Sequence, residues 1–431
     1  MGEDQHVRMI TPDRVRAARI RIPPRGPSVE RRVPGACLVV LTVLAAACGA
    51  GAGIEVGDSD FAAPVGSQAP NLAVAGGGEV LLTYTEPTEG GHAVRLAVRA
   101  RGTWETRSTI VENDSLFVNW ADFPSARATA DGKLVAHWLQ KIAPDRYAYH
   151  VFMRVSDDGG RTWGVPFRPH GDRSPTEHGF VSMVPWQDGL AAIWLDGRNT
   201  TGHAEAPGSS VERPAMSLRF TTVSSTGPAP DVELDQQVCD CCQTALAATS
   251  RALVAAYRDR ADGEIRDVVT ARYVDGAWTP PTGVHDDGWY YPGCPVNGPA
   301  LAARNDTVAV AWFTAAHDTP RAAIAFSTDG GETFGNRTVL DDGRPAGRVD
   351  VLWIADRVIV VWLEDTRAGG EVRARLVGPD GTASRAVTVG ATTAARAAGF
   401  PRMAAVGDTV YVAWTNVVDE PRVHVTRLTV R

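Results

Sequence analysis

One pattern of hydrophobic and polar positions recurs along most of this chain: a short apolar segment ends in an aromatic residue, and a polar loop follows it. The segments read VLLTYTEP, LVAHWLQK, LAAIWLDGR, LVAAYRDR, VAVAWFTAAHD, VIVVWLEDTR and VYVAWTNVVDEP. Their aromatic residues are Tyr84, Trp138, Trp194, Tyr257, Trp312, Trp362 and Trp414, at intervals of 50 to 63 residues. Short apolar runs bounded by glycine and polar residues predict strands with buried faces.

Each repeat divides into four strand-like pieces. In the fifth repeat they read GPALAARND, TVAVAWFTA, RAAIAFSTDGG and TFGNRTVLDD. A unit of this length with several strands is typical of one blade of a β-propeller. We therefore predict an all-β propeller of seven four-stranded blades. The last repeat supplies three strands, so a segment before residue 70, such as DFAAPVG, is expected to complete its sheet and leave no open edge.

Two turns carry a shared octamer, SDDGGRTW at 156–163 and STDGGETF at 327–334. The aspartate at the third position can accept backbone N–H groups across the turn, the glycines supply positive φ, and the aromatic residue packs under the turn. These octamers resemble the Asp boxes of the sialidase-like superfamily. The resemblance implies that they stabilise the fold on the face away from the site. Sialidases have six blades, which is the alternative to seven.

The N-terminal segment VERRVPGACLVVLTVLAAACGAG is typical of a secretory signal, because its apolar run is shorter than the about 20 residues that span a bilayer. Its end, LAAAC, resembles a bacterial lipobox, so we expect lipidation of Cys48, with ordinary signal cleavage as the alternative. The predicted organisation is a leader and signal over 1–48, a linker and closing strand over 49–65, and one propeller domain over 66–431. The mature protein is then lipid-anchored in the cell envelope, on the outer membrane or the periplasmic side.

Composition excludes several kinds of partner. The 431 residues carry a net charge of -7 at pH 7, which gives no basic surface for nucleic acid. Contact with a membrane is expected through the lipid anchor alone. The 43 glycines and 28 prolines suit many turns. A nucleophile elbow, a P-loop and an HExxH helix are absent from the sequence, so hydrolase and nucleotide-binding interpretations have no motif support.

Four cysteines follow the signal segment: Cys239, Cys241, Cys242 and Cys294. Three lie in VCDCCQT and the fourth in GCPVNGP, two segments that we place on neighbouring loops of one face. An oxidising compartment and an even count favour two disulfides, for instance Cys239 or Cys241 with Cys294, and no cofactor would then be required. Two alternatives stay open: a thiolate site for copper or zinc, and a redox pair formed by Cys241 and Cys242.

In a propeller, the loops after the second and fourth strands of each blade emerge on one face around the central channel. The loops between blades include NDSLFVNWADF, RSPTEHGF, VCDCCQT, DDGWYYPGCPVNGP, DDGRPAGRVD and TTAARAAGFPR. Resemblance to sialidases implies an arginine triad that holds a carboxylate, a tyrosine nucleophile with a glutamate partner, and an aspartate acid/base. The catalytic candidates on this face are Asp196, Arg198, Arg258, Asp259, Arg348 and Arg402. The ligand-binding candidates are His178, Trp289, Tyr290, Tyr291 and Glu364, with Tyr290 or Tyr291 as candidate nucleophile.

Two features depart from the sialidase pattern. The early Arg-Ile-Pro signature is missing after the signal, since Arg21, Ile22 and Pro23 precede it. No late tyrosine can be paired with an acid by spacing. Salt bridges between blades are the alternative role for the arginines, and packing over a neighbouring blade is the alternative for the aromatic residues.

The sequence therefore favours an exported propeller that engages a carbohydrate at its loop-rich face. An acidic glycan is the candidate ligand, and glycoside hydrolysis is a candidate activity that no motif settles. One alternative is a non-catalytic scaffold that binds a partner or polymer at the cell surface. The other is a copper or zinc protein built on the cysteine cluster.

Overall fold

The computed structural model describes residues 53–144, 147–200 and 214–431. Within these ranges the chain forms seven antiparallel sheets, which are the blades of one propeller. This confirms the predicted all-β fold and the count of seven. The helical structure described consists of three single 3₁₀ turns, at Arg198–Thr200, Ala316–Asp318 and Arg396–Ala398, and none of them could cross a membrane. The predicted leader, signal and Cys48 lipidation site lie outside the described residues.

The strands are numbered in chain order, and β1 (Ile54–Ala62) precedes the first blade. Blade 1 contains β2 (Gln68–Val74), β3 (Val80–Thr88), β4 (Gly91–Ala100) and β5 (Thr103–Asn113). Blade 2 contains β6 (Ser125–Ala128), β7 (Leu134–Lys141) and β8 (Tyr149–Ser156). Blade 3 contains β9 (His178–Trp186), β10 (Gly189–Asp196), β11 (Met216–Ser224), β12 (Gly227–Pro228) and β13 (Val232–Val238).

Blade 4 contains β14 (Ala245–Ala248), β15 (Leu253–Arg258), β16 (Val268–Val274), β17 (Ala277–Trp278) and β18 (Thr282–Gly283). Blade 5 contains β19 (Ala300–Arg304), β20 (Thr307–Thr314), β21 (Arg321–Ser327) and β22 (Thr338–Val339). Blade 6 contains β23 (Pro345–Ile354), β24 (Arg357–Thr366), β25 (Gly369–Val377) and β26 (Val387–Thr392). Blade 7 contains β27 (Arg402–Val406), β28 (Thr409–Asn416) and β29 (Arg422–Val430). In blade 2 the fourth position is held by Phe167, which exchanges two backbone hydrogen bonds with Met153.

The hydrophobic core lies in layers between neighbouring blades. Each buried apolar cluster joins residues from two adjacent blades, and the seven clusters complete the circle. The aromatic residues of the sequence repeat are the second-strand anchors of these layers, and each is at most 6% exposed. Full burial of one large apolar side chain stabilises by roughly 1.5–3 kcal/mol. The repeat seen in the sequence is therefore the repeat of the core.

An N-terminal strand closes the ring, as predicted. β1 pairs antiparallel with β29, with Ile54 opposite Val430 and Phe61 opposite Val425. The strand begins earlier than the segment DFAAPVG that was expected to supply it, and the two share Asp60–Ala62. Blade 7 therefore has four strands, three from the end of the chain and one from its beginning.

Both Asp boxes form the turn between the third and fourth strand positions of their blades. Asp329 Oδ1 accepts the backbone N–H groups of Glu332 and Thr333, both at 3.0 Å, and its Oδ2 accepts the Thr333 hydroxyl at 2.6 Å. Asp158 makes the same contacts in blade 2. Gly160 has φ +84°, and a Cβ there would lie 2.3 Å from Leu96 Cδ2, so glycine is required.

We expect Asp329→Ala to destabilise the fold by about 1–2 kcal/mol, because two backbone donors and the hydroxyls of Ser327 and Thr333 lose their acceptor. The melting temperature should then fall by roughly 2–4 °C. Thr328→Ala, at an exposed position of the same turn, is the matched control and should melt like the wild type.

The pKa of Asp329 is lowered in the folded protein: burial opposes the shift, but hydrogen bonds from Ser327 and Thr333 outweigh it. Its stabilisation is therefore complete above the ordinary aspartate pKa of about 4 and is lost progressively below it. The difference between wild type and Asp329→Ala should narrow in acid. An equal difference at every pH would contradict this origin.

Candidate functional site

The loops after the second and fourth strands of the blades emerge at one end of the propeller, because neighbouring strands are antiparallel. The two Asp-box turns lie at the other end. The loop-rich end, called the mouth below, therefore gathers segments that are far apart in the sequence. It includes the loops over residues 114–124, 239–244 and 284–299.

Three ionisable side chains meet at the mouth beside blade 2: Asp122, Tyr149 and Glu177. The Tyr149 hydroxyl donates a hydrogen bond to the Glu177 carboxylate. Asp122 Oδ2 accepts the backbone N–H of Phe180 at 2.8 Å. A Cβ on Gly179 would lie 2.1 Å from Asp122 Oδ2 and 3.1 Å from Tyr149 Cε2. Asp122 and Tyr149 are therefore packed against a glycine that no larger residue could replace without moving them.

Burial sets the protonation of this group. It raises the pKa of Asp122 well above its usual range, against the effect of the Phe180 N–H. It also raises the pKa of Glu177 to about 7, although the Tyr149 hydroxyl lowers it. Burial, with the Glu177 and Asp122 carboxylates nearby, raises the pKa of Tyr149. Near neutrality Asp122 is thus a candidate proton donor and Glu177 a candidate proton acceptor.

The sequence did not single out these three residues. Asp122 and Glu177 belong to loops between blades, which the sequence does place on this face, and Tyr149 begins β8. The tyrosine and its carboxylate are separated by 28 residues, and no motif marks the pair. The sequence therefore indicated which loops reach this face, but it did not indicate which of their residues form the group.

Two arginines face the central channel next to this group. Arg127 Nη1 donates to Asn71 Oδ1 at 2.9 Å, and Arg402 forms a 3.4 Å ion pair with Asp350. Burial and the charge of Arg402 lower the pKa of Arg127 to about 10. Arg402 Nε is buried and has no hydrogen-bond partner among the described residues. Both arginines line one small cavity with Asp122, of about 20 Å³.

Arg258 and Arg348 are occupied by backbone carbonyl groups. Arg258 is 2% exposed, stacks over Trp289 at 4.8 Å and donates to the carbonyl oxygens of Asn297 and Phe313, each at 2.7 Å, and of Arg266. Arg348 donates to the carbonyl oxygens of Ala394, Ala395 and Gly399. Both side chains hold loops of the mouth in place. Their assignment to catalysis stays a prediction.

The two cysteine-bearing loops are neighbours, as their positions between blades predicted. Cys239 and Cys242 are buried, with their Sγ atoms 3.3 Å apart, and the Cys241 Sγ lies within 4.8 Å of both. Cys294 reaches the Cys241 side chain from the next loop between blades. All four are free thiols in the structure. Disulfide pairing, metal binding and redox exchange stay open interpretations of the cluster.

Hydrogen bonds from Cys241 and Cys242 hold the pKa of Cys239 well below its usual range, and the charges of Arg266 and Arg258 act in the same direction. Contacts with the other thiols raise the pKa of Cys241. Cys239 is therefore the candidate thiolate of the cluster.

Charged residues of blade 4 surround the thiols. Arg260 pairs with Glu264 at 2.8 Å and with Asp240 at 3.6 Å, and the Glu264 carboxylate also accepts Arg266. These arginines are almost fully buried. A negative charge on sulfur is therefore compensated from the same blade.

Among the remaining polar candidates, Asp196 and Glu364 have side-chain or backbone hydrogen-bond partners. Asp196 is fully buried and bound by Arg198 at 2.7 Å; burial would raise its pKa, but the Arg198 hydrogen bond outweighs this and holds it at about 2. His178 faces Asp196 at 3.4 Å. Burial raises the pKa of Asp259 to about 6. Glu364 is buried and accepts the Arg344 N–H and the Trp362 indole, both at 2.7 Å.

The aromatic candidates separate by exposure. Trp289 is 5% exposed and packs between Arg258 and Phe313, whereas Tyr290 is 63% exposed and Tyr291 39% exposed. The two tyrosines are therefore accessible to a ligand, and the tryptophan supports the loop.

Comparisons with known proteins agree with the architecture. No family model and no curated protein matches the chain. An α-L-arabinanase from Penicillium chrysogenum, solved with arabinobiose, is 12% identical with a TM-score of 0.50, over 88% of this chain and 98% of that one. The polysaccharide lyase Uly1 is 8% identical with a TM-score of 0.51, over 86% and 91%. The Hadza microbial sialidase Hz136 is 12% identical with a TM-score of 0.45, over 78% and 74%. At these identities the likeness to the arabinanase and to the lyase shows a shared fold alone.

Replacing Arg258 by leucine should destabilise the protein by about 3 kcal/mol or more, because three buried carbonyl groups lose their donor. Arg251→Leu is the matched control, since Arg251 is exposed and its ion pair with Asp306 contributes at most about 1 kcal/mol. Thermal melting measures both variants. Equal melting temperatures would show that Arg258 does not support the mouth.

Proposed function

We propose that this protein engages a carbohydrate at the mouth and cleaves a glycosidic bond there, with an acidic sugar as its ligand. The observation that carries the proposal is the hydrogen bond from Tyr149 to Glu177, beside Asp122 and the channel arginines Arg127 and Arg402. Similar propellers include an arabinanase and a polysaccharide lyase, which supports a carbohydrate as the ligand.

The three ionisable groups take complementary roles in this proposal. Glu177 accepts the proton of Tyr149, and the phenolate attacks the anomeric carbon. Asp122, which burial keeps protonated, gives its proton to the departing oxygen. Its carboxylate then takes a proton from the water that releases the sugar from Tyr149. A tyrosine in place of the second carboxylate is a known variation of glycoside hydrolysis.

Arg127 and Arg402 suit the carboxylate of an acidic sugar, because a guanidinium group binds a carboxylate through two parallel hydrogen bonds. Access to Tyr149 requires a movement, since the tyrosine is fully buried and the Phe117 ring stacks on it at 3.9 Å. Phe117 is half-buried at the surface of the mouth. In this proposal its ring moves aside when a sugar enters.

Glu177→Gln should reduce kcat/KM by about 100-fold or more, the usual size of a general-base contribution. Fluorogenic glycosides of sialic acid, glucuronic acid and arabinofuranose are suitable probes, together with acidic polysaccharides. Tyr149→Phe and Asp122→Asn should show comparable losses with small changes in KM. Each variant is checked for an unchanged melting temperature.

Glu233→Gln is the control, because Glu233 is a partly exposed residue of β13 that pairs with Arg219. It should retain the wild-type rate. A wild type that binds a glycan without turnover would instead support the non-catalytic scaffold. A wild type that neither binds nor cleaves any of these carbohydrates would reject the proposal.

We also propose that the protein works in the cell envelope after export. The basic pair Arg31 and Arg32, the apolar run after it and the LAAAC sequence that ends at Cys48 support this proposal. A lipid on Cys48 would keep the mouth near polymers of the cell surface.

A second candidate function is metal binding by the cysteine cluster. Three Sγ atoms within 4.8 Å of one another favour it, and Cys294 adds a fourth sulfur at the surface. Thiolates are soft ligands that suit Cu(I) and Zn²⁺. Buried arginines beside Cys239 would balance the charge of the thiolates.

Protein isolated from the cell envelope should contain copper or zinc, and its thiols should react with a thiol reagent after a chelator removes the ion. Cys242→Ala should lose the metal that the cysteines bind, because it removes one of the three sulfurs that lie within 4.8 Å of one another. Thiol titration and metal analysis measure both effects. A protein with neither reactive thiols nor bound metal would exclude this function and leave two disulfides.

A further inference from the structure

A cluster of imidazoles lies behind the Tyr149–Glu177 pair. Tyr149 and Glu177 form a parallel bridge, and His150 and His178 are the residues that follow them. Consecutive residues of a strand face opposite sides, so the two histidines lie on the far side of the same pairing. His170 joins them from the loop before β9. Its ring centroid is 4.4 Å from that of His178 and 4.9 Å from that of His150.

Backbone carbonyls orient two of these rings. His178 Nδ1 lies 3.2 Å from the Thr176 carbonyl oxygen, and His150 Nε2 lies 2.9 Å from that of Ser174. A carbonyl oxygen accepts, so these two nitrogens carry the protons. Histidines that bind metals usually donate their second nitrogen in this way. In the neutral ring the other nitrogen keeps a lone pair.

The free nitrogen of His178 faces negative charge. His178 Nε2 lies 3.0 Å from Asp172 Oδ2 and 3.4 Å from Asp196 Oδ1, is fully buried and has no hydrogen-bond partner among the described residues. A ring nitrogen with a lone pair this close to two carboxylates is unfavourable unless a cation or a proton lies between them. The ligand atoms of His150, His178 and Asp172 lie within 4.8 Å of one another, which leaves room for one ion.

His170 is a second, independent indication that a ligand of this cluster is missing. It is 5% exposed, and neither of its ring nitrogens has a hydrogen-bond partner in the described part of the chain. A buried polar group without a partner costs about 1–3 kcal/mol.

Of the two carboxylates beside the cluster, Asp196 and Asp172, only that of Asp172 has no arginine bound to it among the described residues and can serve an ion. Arg198 neutralises Asp196 through a 2.7 Å contact. Arg168 Nη1 donates to His150 Nδ1 at 3.0 Å. Its positive charge would repel a metal ion bound at the same nitrogen. Asp172, partly exposed at the edge, is therefore the charged ligand, and an ion would displace Arg168 from His150.

We propose that His150, His178 and Asp172 bind one divalent first-row transition ion, with His170 as a neighbouring imidazole that can complete the site. Two imidazoles and one carboxylate suit Zn²⁺ and related ions, whereas Ca²⁺ and Mg²⁺ prefer sites built from oxygen atoms alone. The ion ties β8 to the loop before β9. It therefore fixes the backbone from which Tyr149 and Glu177 project.

The test uses the full chain, stripped with a chelator and then saturated with Zn²⁺. X-ray absorption of the wild type should show a shell of nitrogen and oxygen atoms at about 2.0–2.1 Å, distinct from the Zn–S distance of about 2.3 Å that the cysteine cluster would give. His178→Gln should bind one ion fewer, and its spectrum should lose the imidazole contribution. Competition with a coloured chelator should show an affinity loss above about 100-fold, the upper limit for removal of an outer-shell partner.

His424→Gln is the control, since His424 stacks on Trp414 in blade 7, away from the cluster. It should bind zinc as the wild type does. If His178→Gln fails to fold, Asp172→Asn replaces it, because Asp172 lies at the partly exposed edge. A wild-type spectrum with sulfur ligands alone, or equal stoichiometry in wild type and a folded variant, would overturn the proposal.

Discussion

The structure depends on the pairing of its first strand with its last. β1 and β29 are joined at their ends by reciprocal hydrogen bonds between Gly53 and Arg431. Asp60 in β1 also binds Arg427 of blade 7, together with Arg99 and Trp104 of blade 1. One apolar layer lies between blades 7 and 1, and its side chains are buried only when both blades are in place. Ring closure therefore completes the core between blades 7 and 1 and gives blade 7 its fourth strand.

Closure also brings loop carbonyl groups together at the mouth, where those that are buried need hydrogen-bond donors. Arg258 and Arg348 meet this need, because a guanidinium group has five N–H donors and no acceptor. Each binds carbonyl groups of several loop residues. Arg127 and Arg402 instead bind side chains beside the channel. The same residue type thus supports the mouth in two places, and in the proposed function it would offer charge to a ligand in two others.

The features of the fold that the sequence predicted correctly are those that local sequence patterns determine. The aromatic repeat indicated seven blades because each aromatic residue anchors one core layer, and the Asp boxes were visible because their contacts span four residues. Blade order alone placed Cys294 beside Cys241. The Tyr149–Glu177 pair was not predictable, since it depends on how two loops turn at the mouth. Arg127 was missed for a related reason: in SARATADG it reads as an ordinary exposed strand residue, and closure of the ring turns it toward the channel.

The two sides of one strand pairing connect the candidate chemistry with the imidazole cluster. The Tyr149 N–H donates to the Thr176 carbonyl at 3.3 Å, and the Glu177 carbonyl accepts the Gly197 N–H at 2.8 Å. This register directs Tyr149 and Glu177 to one side and His150 and His178 to the other. A shift of one residue would exchange the two sets. The interactions that orient the histidines, whether with carbonyls, carboxylates or an ion, therefore also keep the tyrosine and the glutamate at the mouth. A pair with no local motif can be held in this way, by constraints on the opposite face of the same backbone.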